Sequence, residues 1–185
     1  MLLIVAIILA IVIGVFIAIF FSYYNKIIRL ENRIDNSWAQ IDVQLKRRAD
    51  LIPNLMETVK GYMEHEREVL ENVTKARSAL VNADSPQENI DANNQLTNAL
   101  KSLFAVSEDY PDLKANQNFL SLQDELTHTE DKIAYARQHY NDSVLAYNNT
   151  IETFPGVIFA KQMNKHTKEM LKIPEEERET PEVKF

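Results

Sequence analysis

The chain has 185 residues, no Cys, three Gly and six Pro, and 27 acidic against 20 basic side chains give a net charge of −7. Without Cys there are no disulfides, thiolate nucleophiles or Cys-based metal sites, and the acidic balance lacks the basic face of a nucleic-acid binder. So little Gly and Pro favours few, long elements within about one domain.

Every charged side chain lies beyond Asn25. Met1 to Phe21 is an unbroken apolar run, Gly14 included. Coiled as a helix it is about 31 Å long, which matches the hydrocarbon core of a bilayer. Its Leu, Ile, Val and Phe side chains favour insertion by roughly 5–10 kcal/mol at mid-bilayer values. Tyr23 and Tyr24 follow where interfacial aromatic belts sit. A cleaved signal peptide needs a basic n-region, a shorter apolar core and a small-x-small cleavage site. This segment has no base ahead of it, is too long, and continues as Phe20-Phe21-Ser22-Tyr23-Tyr24. Residues 1–24 therefore read as an uncleaved, single-pass transmembrane anchor. Lys26, Arg29 and Arg33 lie just behind it, so the positive-inside rule places a short N-terminus outside and the C-terminal domain in the cytoplasm. Ala6, Ala10, Gly14 and Ala18 recur every four residues. Such small residues let a second helix approach closely; the plainer reading is that Ala is common in any membrane helix.

Residues 25–172 read as a helical bundle. From Asn25 to about Val81 the turn signals are confined to Pro53 and Gly61. A heptad-like, coiled-coil seam runs through Ile27, Ile34, Trp38, Ile41, Leu45, Ile52, Leu55, Val59, Tyr62, Val69, Val73, Ala76 and Leu80, with Glu31, Arg48 and Glu66 as its polar members. The pattern predicts one helix over the whole stretch. Pro53 denies a donor to the carbonyl of Ala49 and crowds it, so a kink is expected there, not a stop. Arg48 is the odd seam member. Either it lies along the surface with its stem on the seam, which is the preferred reading, or it is buried and paired with a carboxylate such as Glu66 or one on another helix.

Ser85-Pro86-Gln87-Glu88 is a capping box with Pro at the first helical position. It opens a second helix to about Ser107 whose first half is rich in Asn and Gln. Tyr110-Pro111-Asp112 repeats the start signal for a third helix to about Phe154, and Pro155-Gly156 breaks it. A shorter fourth helix is expected from Val157 to about Leu171. The acidic, Pro-punctuated end over residues 173–185 reads as a disordered tail.

Three motifs carry a family resemblance. The first is Trp38, then Ile41-Asp42-Val43-Gln44-Leu45-Lys46-Arg47-Arg48-Ala49-Asp50-Leu51-Ile52-Pro53-Asn54-Leu55, then Val59-Lys60-Gly61-Tyr62. The second is Tyr110-Pro111-Asp112-Leu113-Lys114-Ala115-Asn116 with Phe119. The third runs from Glu130 through Arg137, with Tyr140-Asn141, Tyr147-Asn148 and Phe154-Pro155. Together they resemble the LemA family over about residues 24–160. The resemblance implies a bacterial protein with one N-terminal transmembrane helix, a short external N-terminus and a long helical bundle. It supplies no activity. Members often occur beside TPM-domain proteins or membrane metalloproteases, which implies a role in envelope maintenance. The motif positions Trp38, Arg47, Arg48, Asp50, Pro53, Asn54, Tyr110, Pro111, Arg137, Tyr140 and Asn141 are then candidate interaction or structural residues.

Enzymatic signals are weak. Glu125 and His128 have the Glu-x-x-His spacing of di-iron carboxylate bundles. That chemistry needs a second copy and two further carboxylates, and His65, His139 and His166 have no Glu three residues before them. Lys46-Arg47-Arg48 would reach anionic lipid only if the helix bent or lay down, since they sit about 30 Å along it from Lys26. No Gly-rich phosphate loop or Gly-x-Ser-x-Gly elbow is present. The expectation is an all-α, non-enzymatic membrane protein with no catalytic residue, cofactor, metal, nucleic acid or small-molecule substrate. It would act as a homo-oligomeric scaffold that positions an envelope partner. The alternative is an accessory or sensor subunit of a membrane protease or quality-control complex, with the acidic tail as its contact.

Overall fold

The structure, a computed structural model, describes residues 1–172; the tail expected over 173–185 lies outside them. Among the described residues the chain forms α1 (Leu2–Lys60), α2 (Arg67–Val81), α3 (Pro86–Ser107), α4 (Pro111–Lys114), α5 (Gln117–Glu152) and α6 (Gly156–Gln162), with no strand. The all-helical class, the long apolar N-terminal helix and the bundle are as the sequence predicts.

The chain divides into two compact units, with the divide inside α1 after Ser37 and inside α5 after Gln138. The first unit takes Met1–Ser37 with His139–Met170. Its core is built on Ile27 and Ile34 of α1, Val144 and Tyr147 of α5, and Phe159 and Ala160 of α6. Phe159 packs between two rings of α1, 5.7 Å from Phe20 and 5.4 Å from Tyr23. Among the described residues nothing packs against the apolar run ahead of these rings: its best window has mean hydropathy 3.5 and is 0% buried. This is one stretch long and apolar enough to cross a membrane.

The second unit takes Trp38–Gln138, together with Leu171 and Lys172 among the described residues. Ile41, Leu45, Ile52, Leu55 and Val59 of α1 are all buried in it, as the seam requires. They share the core with Val73 and Leu80 of α2, Leu96, Leu100 and Leu103 of α3, and Phe119, Leu126 and Ile133 of α5.

Four boundaries differ from the sequence expectation. Helix α1 continues through Pro53 but ends at Lys60, so the single helix predicted to Val81 is two. At the break the seam slips by one residue: Met63 is fully buried while Tyr62 is 38% exposed. The third helix is also interrupted. Pro111 opens only the single turn of α4, and Asn116 Oδ1 then caps α5 by accepting from the backbone N–H of Asn118 at 2.9 Å and Phe119 at 3.2 Å. Helix α5 ends at Glu152, just short of the predicted Phe154. Finally, α6 stops at Gln162, not Leu171. Asn164 adopts φ 52°, and the N–H groups of Asn164 and Lys165 return to the carbonyls of Lys161 at 3.2 Å and Ala160 at 2.9 Å. That is a Schellman stop, which Asn tolerates without Gly. The capping box of α3 forms as predicted, with Ser85 Oγ accepting from Glu88 N–H and Glu88 accepting in return.

Candidate functional site

Arg48 is the one basic seam residue of α1, and the seam carries it into the core of the second unit, where it is 3% exposed. This corrects the preferred surface reading in favour of the buried one. A buried guanidinium requires partners, and three surround it. Its Nη1 donates to Asn93 Oδ1 at 2.7 Å and to Thr97 Oγ1 at 3.0 Å, both on α3, and pairs directly with Glu130 Oε2 on α5. Asn93 Nδ2 lies 3.4 Å from the same carboxylate oxygen. The Thr97 hydroxyl proton serves either Glu130 Oε1 at 3.2 Å or the Asn93 carbonyl at 3.0 Å. Burial pushes the Arg48 guanidinium down from its ordinary value and the Glu130 carboxylate opposes that shift; arginine stays charged throughout. The carboxylate partner is therefore Glu130, not Glu66. Glu66 instead accepts from the Tyr110 hydroxyl at 3.1 Å, and burial, then Glu66, raise that phenol above its ordinary value.

Pro53 and its neighbours explain how a proline sits inside α1. The carbonyl left without its helical donor is that of Ala49. It accepts instead from Arg77 Nε of α2 at 2.9 Å. A groove of about 320 Å³ runs past this contact, lined by Asp42, Lys46, Ala49, Asp50, Arg77 and Val81 among others. Asp50, Pro53 and Asn54 are exposed. The Asn54 carbonyl takes a bond from Thr58 Oγ1 at 2.8 Å. Arg47 points outward to Glu125 Oε2 at 2.7 Å, which engages one member of the Glu-x-x-His pair while His128 is exposed.

The remaining predicted positions are dispersed. Trp38 is half-buried and Pro111 exposed at the start of α4. Arg137 is buried. Tyr140 and Asn141 belong to the first unit, where burial and then the charge of Asp35 raise the Tyr140 phenol. Ala6, Ala10, Gly14 and Ala18 are all exposed, and nothing lies within 4 Å of a Cβ built on Gly14.

Sequence reasoning missed several participants. Asn93 and Thr97 carry the buried polar edge of α3, and the Asn- and Gln-rich first half of that helix was the available signal. Arg77 left no signal, being one base among many on α2. In the first unit, the segment after α6 is fastened by Lys165 Nζ to Glu31 Oε2 at 2.6 Å and by two bonds of 2.9 Å between the Asn148 amide and the Lys168 backbone. The hydrogen bond to Glu31 holds Lys165 above the usual lysine value, so the ammonium is charged at neutral pH and its side of the contact is lost as pH rises through that raised value.

The LemA family model matches residues 37–185. Protein LemA of Metamycoplasma hominis is 31% identical over 131 residues, covering 70% of this chain and 60% of that relative's length. The chain thus spans about 60% of the relative it matches. A match over most of the chain, together with the Trp38-to-Tyr62 motif that runs along α1 and into the turn after it, settles the assignment: the chain belongs to the LemA family.

Proposed function

We propose that this chain is a single-span, membrane-anchored helical scaffold of the bacterial envelope that performs no catalysis, self-associates and positions a protein partner. The supporting observation is the exposed apolar start of α1, of mean hydropathy 3.5, continuous with a bundle whose most distinctive charged residues are engaged in structural pairs. An exposed apolar surface of that size needs an apolar environment, and bilayer lipid together with a second span along Ala6, Ala10, Gly14 and Ala18 supplies it. The bases behind the span orient the bundle toward the cytoplasm. The exposed motif residues Asp50, Pro53 and Asn54 form the surface offered to the partner.

Chemical cross-linking in intact membranes tests self-association. Discrete oligomers that weaken in Gly14→Leu are the expected result, and monomer alone overturns it. Capture of co-purifying membrane proteins from native membranes tests the scaffold role, with Asp50→Ala expected to reduce capture while leaving the fold intact.

A further inference from the structure

Helix α6 is apolar on both of its sides at its start, before the exposed Lys161 and Gln162. Gly156, Phe159 and Ala160 face the protein and are buried, while Ile158 is 53% exposed and Phe154, just before the helix, is 81% exposed. Large apolar side chains exposed opposite a buried apolar face need an apolar environment of their own. Its depth is set by what it touches. Phe159 lies against Phe20 and Tyr23, the last turn of the apolar run and the first turn beyond it. Gly156 is wedged between the Thr150 carbonyl and the Tyr23 ring, so that a Cβ there would collide with Thr150. The turn is therefore held at the end of the span. Lys26, whose Nζ lies 5.7 Å from the Tyr23 ring centroid, and the exposed Lys161 supply the cations that accompany aromatic residues at a lipid boundary.

We infer that the turn from Phe154 to Ile158 is a second membrane contact, with Phe154 and Ile158 entering the headgroup–acyl boundary at the level of Tyr23. The inference rests on the anchoring of α1 proposed above. Lipid is the occupant because the exposed side chains lie at the depth where the span itself leaves the bilayer. The contact would make the first unit grip the membrane at two points, the span and the turn, and so limit rotation of the unit about the span.

The absence of Cys makes single-cysteine labelling clean. Phe154→Cys, Ile158→Cys, Ile11→Cys within the span and the exposed Asn36→Cys are each labelled with an environment-sensitive fluorophore. Each is reconstituted in phosphatidylcholine–phosphatidylglycerol vesicles with or without lipid spin-labelled at a shallow or deep acyl position. The expected result is blue-shifted emission at 154 and 158 with loss of intensity to the shallow quencher, loss at 11 to the deep quencher, and no loss at 36. If 154 and 158 behave like 36 while 11 is quenched, the second contact is wrong and the anchor stands. Blue-shifted emission at 154 and 158 without lipid quenching means that a second copy or another protein covers the turn, which also overturns the proposal. If 11 escapes quenching, the anchoring reading fails and takes this one with it.

Discussion

Helix α1 departs from the usual partition of residues in two opposite ways. Over its first turns large apolar side chains such as Leu3, Leu9 and Phe16 stand exposed; at Arg48, on the same seam that later buries Ile52 and Leu55, a charge is enclosed. The difference lies in what each region has to satisfy. Beyond its first turn the apolar run meets its backbone groups inside the helix, and its side chains lack an apolar solvent. Arg48 has its charge met at Nη1, where α3 and α5 bring it Asn93, Thr97 and Glu130, while its buried Nε has no hydrogen-bond partner. The first departure is a property of one segment and its surroundings. The second is a property of three helices assembled together, and it exists only in the folded state.

Substitutions can break each side of this contrast. The largest effect is expected for Ile8→Arg combined with Ile11→Arg, which raises the cost of insertion by about 6 kcal/mol. The protein should move from the membrane fraction to the soluble or aggregated fraction on flotation. Next comes Glu130→Ala, which leaves Arg48 buried without its carboxylate. Glu130 is 26% exposed, so the low end of the range for breaking a buried pair applies, about 3 kcal/mol, read as a lower denaturation midpoint in detergent. Arg48→Met together with Glu130→Leu should restore most of that loss; if stability returns and partner capture does not, the pair serves recognition as well as folding. Arg77→Ala removes the donor of the Ala49 carbonyl and should cost roughly 1–2 kcal/mol. A pH effect follows from Glu88, whose carboxyl is held below its ordinary value by the Asp84 and Ser85 backbone N–H groups and the Ser85 hydroxyl. Its depressed value means that the capping contribution is present above the ordinary carboxylate range and is lost as pH falls through the folded value. The melting temperature of Glu88→Gln should accordingly be less sensitive to acidification than that of the native chain. Least is expected of Arg47→Ala, since the pair with Glu125 is exposed and such pairs contribute about 0–1 kcal/mol.

Spacing along the chain conveys what is local. Ile27 through Val59 fall on one face at steps of three and four, and all of that face's aliphatic members are buried. The box at Ser85 and Glu88 is contained in four consecutive residues and forms as written. Pairings across the chain are not encoded that way. The partner of Arg48 stands 82 residues downstream at Glu130, whereas Glu66, nearer in sequence and on the same seam, bonds to Tyr110. The break after Lys60 is hidden for a related reason: Val73, Ala76 and Leu80 keep an apolar period in α2, and periodicity cannot tell one helix from two in sequence. Asn116 and Asn164, which end or restart helices by side-chain capping and by a left-handed φ, look like ordinary polar residues until the chain is folded.

The contact between Arg77 and the Ala49 carbonyl has an evolutionary corollary. A proline at position 53 opens an acceptor on α1 that the helix cannot fill, and the long donor that fills it comes from a different helix. The two positions are then tied to one another across 28 residues of sequence. Among relatives, loss of the proline should relax selection on the donor, while loss of the donor should be tolerated mainly where the proline has already gone. Alignment columns for positions 53 and 77 should covary in that asymmetric manner, with Lys or Gln at 77 as the intermediate states.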